Sequence, residues 1–121
     1  MPGPRVLVVD DEPDIRVLLQ MTLGLDGFEV VGEATNGQEA VTLAADLQPD
    51  VIVLDLMMPV MGGMEALPLL LQSSPRSHVV VLSAAASHLI DQAVAAGAEG
   101  YVEKPMAIRE LAPMLHSVCQ N

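Results

Sequence analysis

The sequence predicts an α/β domain in which a parallel β-sheet carries helices on both faces. Short aliphatic stretches alternate five times with longer amphipathic stretches, which is typical of strands followed by crossover helices. The third aliphatic stretch, Val51–Leu54, has no polar position and is therefore predicted to be a strand buried on both faces. Because 121 residues suffice for one hydrophobic core, we expect a single domain over residues 1–121.

The first two strand–helix units are marked by residues that favour helix starts. Arg5–Val9 is predicted to be a strand, and Pro13 suits the first position of the helix after it. Glu29–Glu33 is a shorter run with polar ends, which suits an edge strand, and Asn36 with Glu39 has the spacing of a capping box. The buried faces are predicted to comprise Ile15, Leu18, Leu19 and Thr22 in the first helix, and Ala40, Val41, Leu43, Ala44 and Leu47 in the second.

The remaining units follow the same alternation but include two prolines within predicted helices. The fourth and fifth strands are predicted at His78–Leu82 and Gly100–Glu103. Pro68 should weaken the third helix, whereas Pro113 faces away from the apolar stripe of the last helix and predicts only a local irregularity. The apolar stripes are Met64, Leu67, Leu70 and Leu71; Ile90, Ala93, Val94 and Gly97; and Ile108, Leu111, Ala112, Leu115 and Cys119.

Composition excludes several classes of function. A net charge of −11 argues against direct nucleic-acid binding, which needs a basic surface. No apolar run is long enough to span a bilayer, and the start of the chain lacks the pattern of a signal peptide. Cys119, the single cysteine, cannot form an internal disulfide, which suits a reducing compartment. We therefore expect a cytoplasmic protein that binds neither membranes nor nucleic acid.

Polar residues follow four of the five predicted strands. Asp10 and Asp11 follow the first strand, Asp55 the third, Ser83 ends the fourth, and Lys104 follows the fifth. In a parallel sheet these ends share one edge, where ligands bind in doubly wound folds. Each residue has an ordinary alternative, because acids and serines cap helices and a single lysine is usually solvated.

The combination of acids is harder to explain without a ligand. Two like charges about 4 Å apart repel by about 4 kcal/mol at an effective dielectric near 20, so a bound cation is the natural explanation. Carboxylates with room for water suit Mg²⁺, and one that acts as a nucleophile would form an aspartyl-phosphate. The metal ion and Lys104 would then neutralise the phosphoryl oxygens.

These motifs resemble the receiver domain of two-component response regulators over essentially the whole chain. The resemblance implies a flavodoxin-like, doubly wound five-stranded parallel sheet of order 2-1-3-4-5 with five helices. The residues that carry it are Asp10-Asp11, Asp55 with Pro59 and Gly63, Ser83 followed by Ala84, and Tyr101 three residues before Lys104-Pro105.

The resemblance also implies residue roles in the chemistry. Asp55 would accept a phosphoryl group from a sensor histidine kinase or a histidine phosphotransfer protein. Asp11, Asp55 and the backbone carbonyl of Met57 would bind Mg²⁺, and Asp10 would hold a metal-bound water. Lys104 would contact the phosphoryl group, and a cis peptide bond between Lys104 and Pro105 would place it in the pocket.

The resemblance further implies how phosphorylation would become a signal. Ser83 would move toward the phosphoryl group and Tyr101 would change rotamer with it. The face of the fourth helix, fifth strand and fifth helix would contact an output domain or downstream protein, and a homodimer formed on phosphorylation is left open. Residues around the first helix, including Leu23 and Leu25, would form the docking surface for a kinase or a phosphotransfer protein.

Two apolar side chains suggest slow loss of the phosphoryl group. In the family, the residues two beyond the acceptor and two beyond the switch hydroxyl flank the attacking water; here they are Met57 and Ala85. Neither side chain can orient a water by hydrogen bonding, so we expect a long-lived phosphoryl state.

Two other functions are considered. A Mg²⁺-dependent phosphatase or phosphotransferase of the haloacid dehalogenase type also uses a nucleophilic Asp, but it wants a second acid where this chain has Met57. A receiver-like domain that binds partners without phosphorylation would have no need of the complete set of acids, hydroxyl and lysine. The favoured interpretation is a signalling module that catalyses its own phosphorylation and dephosphorylation and is not a conventional enzyme.

Overall fold

A computed structural model describes residues 3–84, 87–104 and 108–120 and places five parallel strands in one sheet of order β2-β1-β3-β4-β5. The doubly wound fold expected from the sequence is confirmed. In chain order the elements are β1 Arg5–Val9, α1 Pro13–Leu25, β2 Glu29–Ala34, α2 Gly37–Leu47, β3 Val51–Leu54, α3 Gly63–Ser73, β4 His78–Ser83, α4 Ser87–Ala95, β5 Gly100–Glu103, a 3₁₀ turn Ile108–Glu110 and α5 Leu111–Cys119.

The side chains of alternate residues in the central strands pack into two apolar layers, one on each face of the sheet. Val6 and Val8 of β1 pack in the layer that contains α1 and α5. Leu7 and Val9 pack in the opposite layer, with α2, α3 and α4. All four residues of β3 are buried, as expected for a strand covered on both faces. The acids that follow β1 and β3 are therefore held at the edge of a rigid core.

The predicted capping of α2 is largely confirmed, with one difference. The side chain of Asn36 accepts a hydrogen bond from the backbone N–H of Glu39 at 2.9 Å. The Glu39 carboxylate accepts from the N–H and the hydroxyl of Thr35, both at 2.7 Å, and so contacts the residue before the cap. These hydrogen bonds hold the pKa of Glu39 below its usual value.

Three predictions about helix faces were wrong. Leu18 and Val94, predicted to be buried, are exposed, and Leu23, predicted to lie on a docking surface, is fully buried. The buried face of α1 follows Ile15, Leu19 and Leu23, because residues four apart stack on one side of a helix. Leu25 is strongly exposed, as the docking prediction requires.

The two helical prolines lie in different settings. Pro68 is exposed within a continuous α3, with helix on both sides of it. Pro113 is exposed in the first turn of α5, directly after the 3₁₀ turn, and the helix continues through it without the predicted irregularity. Within the part of the chain that is described, no helix combines the length and apolar character needed to cross a bilayer.

Candidate functional site

The parallel register brings the two predicted acidic segments side by side. Val9 pairs with Leu54, so the next residues, Asp10 and Asp55, leave the sheet at the same level. The N–H of Asp55 donates to the carbonyl of Val9 at 2.9 Å, and that of Asp10 to Ala34 at 3.0 Å. The backbones of both acids are thus fixed by the sheet, while their side chains lie beyond its edge. Below, these residues with Asp11, Glu12, Ser83 and Lys104 are called the acidic pocket.

Lys104 lies at the centre of the acidic pocket. Its ammonium nitrogen is 2.8 Å from Asp10 Oδ2, 2.8 Å from Glu12 Oε1 and 3.1 Å from Asp55 Oδ2. The side chains of Asp10, Asp55 and Lys104 are only 1%, 3% and 7% exposed, whereas that of Glu12 is 58% exposed. One cation is therefore shared by three carboxylates, two of which are withdrawn from water.

Burial and like charge shift the protonation of the pocket. Desolvation raises the pKa of Asp55, the Asp10 charge raises it further, and Lys104 only partly offsets both. Desolvation likewise raises the pKa of Asp10, against the hydrogen bond and charge of Lys104. For Lys104, burial would lower the pKa, but hydrogen bonds to Asp10 and Glu12 and the Asp55 charge outweigh it and raise the pKa. Lys104 therefore stays in its ammonium form, whereas burial disfavours the ionised forms of Asp10 and Asp55.

Asp55 is the carboxylate on which the other predicted residues converge. Its Oδ1 accepts hydrogen bonds from the Ser83 hydroxyl at 3.2 Å and from the Met57 backbone N–H at 3.3 Å, while Oδ2 faces Lys104. Gly63, the first residue of α3, passes so close behind Asp55 that any side chain there would overlap the Asp55 carbonyl oxygen. Glycine at position 63 is thus required for α3 to begin beside the end of β3.

The acidic pocket has the donor set of a hard divalent cation. Asp10, Asp11, Glu12 and Asp55 each offer an oxygen, and these atoms lie within 4.8 Å of one another. Asp10 Oδ2 is buried and pairs with the Lys104 ammonium at 2.8 Å, with no other partner among the described residues. All-oxygen ligands with room for water suit Mg²⁺, so the residues present fit that ion.

Other predicted residues lie around the pocket rather than in it. Tyr101 is on β5 and 46% exposed, and the Met57 side chain is exposed beside Asp55. The Lys104–Pro105 peptide bond and Ala85 fall outside the described residues. The predicted cis peptide bond and the predicted position of Ala85 beside the attacking water therefore stay predictions.

Sequence reasoning missed two residues that support the pocket. Glu12 contacts Lys104 and was not among the residues predicted for the pocket. Arg16 on α1 donates to the Asp10 carbonyl at 2.8 Å and pairs with Glu33 at 3.1 Å, a carboxylate that Gln20 also contacts. Arg16 is the one basic residue of the predicted first helix, a signal that marks the residue but not its partners.

Comparison with known proteins is consistent with this geometry. The model of the Response regulator receiver domain family matches residues 6–116. The chain is 36% identical over 117 residues to the chemotaxis protein CheY of Thermotoga maritima, covering 96% of this chain and 98% of that protein. It is 44% identical to the transcriptional regulatory protein PrrA of Mycobacterium tuberculosis over 90% of this chain, but spans only 47% of PrrA.

Solved structures give the same result. The receiver domain of the putative regulator NarL from Mycobacterium tuberculosis superposes with a TM-score of 0.90 at 30% identity, covering 100% of this chain and 99% of that one. CheY in a complex with CheX, beryllofluoride and Mg²⁺ from Borrelia burgdorferi has a TM-score of 0.90 at 26% identity, covering 96% and 89%.

These matches give no support to the haloacid dehalogenase alternative. The sheet order, the acidic pocket and the family match lead to one conclusion: the chain belongs to the response regulator receiver domain family of two-component signalling.

Proposed function

We propose that Asp55 is the phosphoacceptor and receives a phosphoryl group from a sensor histidine kinase or a histidine phosphotransfer protein. The observation that carries this proposal is the convergence of Ser83, Lys104 and the Met57 N–H on the Asp55 carboxylate. A carboxylate oxygen of Asp55 attacks phosphorus, and the bond from phosphorus to the donor histidine nitrogen breaks. The domain itself supplies the catalytic groups, but it is consumed as the acceptor and is not a conventional enzyme.

Mg²⁺ would be held by Asp11, Asp55 and the backbone carbonyl of Met57, with Asp10 binding through water. Bound there, the ion neutralises charge that develops on the transferred phosphoryl oxygens. The pairing of the Borrelia burgdorferi CheY with beryllofluoride and Mg²⁺ supports this assignment by similarity. Lys104, whose raised pKa keeps it cationic, would donate to another phosphoryl oxygen.

Ser83 and Tyr101 are proposed to convert phosphorylation into a change of shape. Ser83 already donates to Asp55, so a phosphoryl group there would give its hydroxyl a new acceptor. The half-exposed Tyr101 on β5 would turn in concert and alter the surface of α4, β5 and α5, the proposed contact for an output domain or a downstream protein. We further propose one receiver domain over residues 1–121, cytoplasmic, without nucleic-acid or membrane contacts of its own, and able to form a homodimer when phosphorylated.

The test is an acyl-phosphate adduct. Incubation with Mg²⁺ and acetyl phosphate should give one phosphoryl adduct that mass spectrometry maps to Asp55. The Asp55→Asn variant should give none, while Asp46→Asn, which alters an exposed acid of α2, should behave as the unmodified protein. An adduct on another residue, or none with Mg²⁺ present, would contradict the proposal; sustained turnover of many phosphate esters would instead favour a phosphatase.

A further inference from the structure

Glu12 has a side chain whose position is not explained by the helix that it begins. It is the N-cap residue of α1, with extended backbone, yet its carboxylate makes no capping hydrogen bond among the described residues. Its N–H donates to Asp10 Oδ1 at 2.9 Å, and its Oε1 lies 2.8 Å from Lys104 Nζ. The carboxylate of Glu12 is therefore directed at the pocket lysine and not at the helix end.

The Lys104 ammonium has little spare capacity for a new partner. It carries three N–H donors, and three carboxylate oxygens lie within 3.1 Å of its nitrogen. The contact with Asp55 passes to the phosphorylated residue itself, so a phosphoryl oxygen that uses a further donor of Lys104 must displace Asp10 or Glu12. Asp10 is buried and would lose its neutralising charge without gaining water, which is costly. Glu12 is 58% exposed and regains water when it leaves, so it is the partner released at least cost.

We propose that Glu12 occupies, in the unphosphorylated protein, the Lys104 donor that a phosphoryl group on Asp55 would take. Glu12 is thus a positioning residue that acts through Lys104 and lowers the affinity of the pocket for a phosphoryl group. The proposal rests on the assignment of Asp55 as the acceptor. It extends that assignment by naming a competitor built into the start of α1.

Removing the Glu12 charge should favour the phosphoryl-like state for two reasons that act in the same direction. Lys104 loses a competing partner, and the anionic group on Asp55 loses a like charge nearby. Because Glu12 is more than half exposed, its ion pair with Lys104 has the strength of a surface ion pair. Its removal should therefore raise the affinity of the pocket for a phosphoryl-like group about two- to fivefold. The gain should shrink at high salt, since the Debye length falls from about 10 Å at 0.1 M to about 3 Å at 1 M.

The experiment is a titration of the full chain with beryllofluoride at saturating Mg²⁺, followed by the amide NMR shifts of the pocket residues. Glu12→Gln is compared with the unmodified protein and with Asp14→Asn, which removes an exposed acid from the same helical turn. The affinity for Mg²⁺ alone is measured for each protein, so that a change in metal binding is separated from a change in phosphoryl binding. Thermal unfolding of each variant monitors any loss of fold.

The proposal predicts that Glu12→Gln binds beryllofluoride about two- to fivefold more tightly than the unmodified protein at low salt, and that Asp14→Asn is unchanged. Unchanged or weaker binding by Glu12→Gln at saturating Mg²⁺ would overturn it. Equal tightening by both variants would also overturn it, because a general charge effect would then suffice. Failure of the unmodified protein to bind beryllofluoride would be a different result, since it would contradict the Asp55 assignment itself.

Discussion

Met57, two residues after Asp55, has an exposed side chain and a backbone N–H that donates to the Asp55 carboxylate. The side chain cannot orient a hydrolytic water by a strong hydrogen bond. Met57→Asn should therefore accelerate loss of the phosphoryl group by about two- to tenfold, the kinetic equivalent of one hydrogen bond of about 0.5–1.5 kcal/mol. The measurement is the decay of label from purified phosphoprotein after the donor is removed.

Met57→Leu is the matched control for this substitution, because it changes the side chain without adding a polar group. It should retain the slow decay. If the Asn and Leu variants lose label at the same rate, or if the unmodified protein loses it rapidly, the side chain at position 57 does not limit hydrolysis.

At the same scale, residues of the pocket were predictable to different degrees. Asp10, Asp55, Ser83 and Lys104 could be grouped from the sequence because each lies at the end of a strand, and the ends of parallel strands share an edge. The roles of Glu12 and Arg16 could not, since they depend on the direction that a long side chain takes. Glu12 could have capped α1, and Arg16 could have been solvated, with no change in sequence pattern.

Among the elements, the strands were more predictable than the faces of the helices. A strand such as Val51–Leu54 is defined by composition and length, and its pairing follows from the order of crossovers. A helical face depends on rotation about the helix axis. An apolar residue at the margin of the stripe, such as Leu18 or Val94, can then lie on either side of the boundary.

Replacing Pro68, which lies inside α3, should stabilise the protein. It is the sixth residue of α3, is exposed, and cannot donate to the carbonyl of Met64. Pro68→Ala should raise the free energy of unfolding by about 1–2 kcal/mol. Proline in a helix interior destabilises the folded state by more than it stabilises the protein through the lower entropy of the unfolded chain. Urea unfolding at fixed pH measures the change.

Pro113→Ala is the control for this element, because Pro113 lies in the first turn of α5, where N–H groups have no intrahelical partner. It should change the free energy of unfolding far less than Pro68→Ala. Equal effects of the two substitutions would show that position within the helix is not the cause.

For the molecule as a whole, the arrangement of carboxylates that suits cation binding in the acidic pocket lowers the free energy of unfolding. The chain carries 16 acidic and 5 basic residues, yet two ionised acids are buried beside one lysine. The pKa values of Asp10 and Asp55 are raised above their ordinary value of 3.8, first of all by desolvation. A carboxyl with a raised folded-state pKa favours folding below its unfolded pKa, and that advantage is lost as pH rises through the folded value. Above that folded value the cost of burying the two ionised carboxylates is present unless a cation offsets it.

Asp55→Asn should therefore be more stable than the unmodified protein at neutral pH when Mg²⁺ is absent. The difference should be small below pH 3.8, where the carboxyl is protonated in both states, and should grow as pH rises through the raised pKa. Mg²⁺ at 100 times its dissociation constant should stabilise the unmodified protein by about 2.7 kcal/mol, and Asp55→Asn by less, because a ligand has been lost. Urea unfolding across pH, with chelator and with Mg²⁺, measures both effects, and Asp46→Asn controls for net charge. A variant less stable than the unmodified protein at every pH would mean that the contacts of Asp55 with Lys104 and Ser83 outweigh its desolvation.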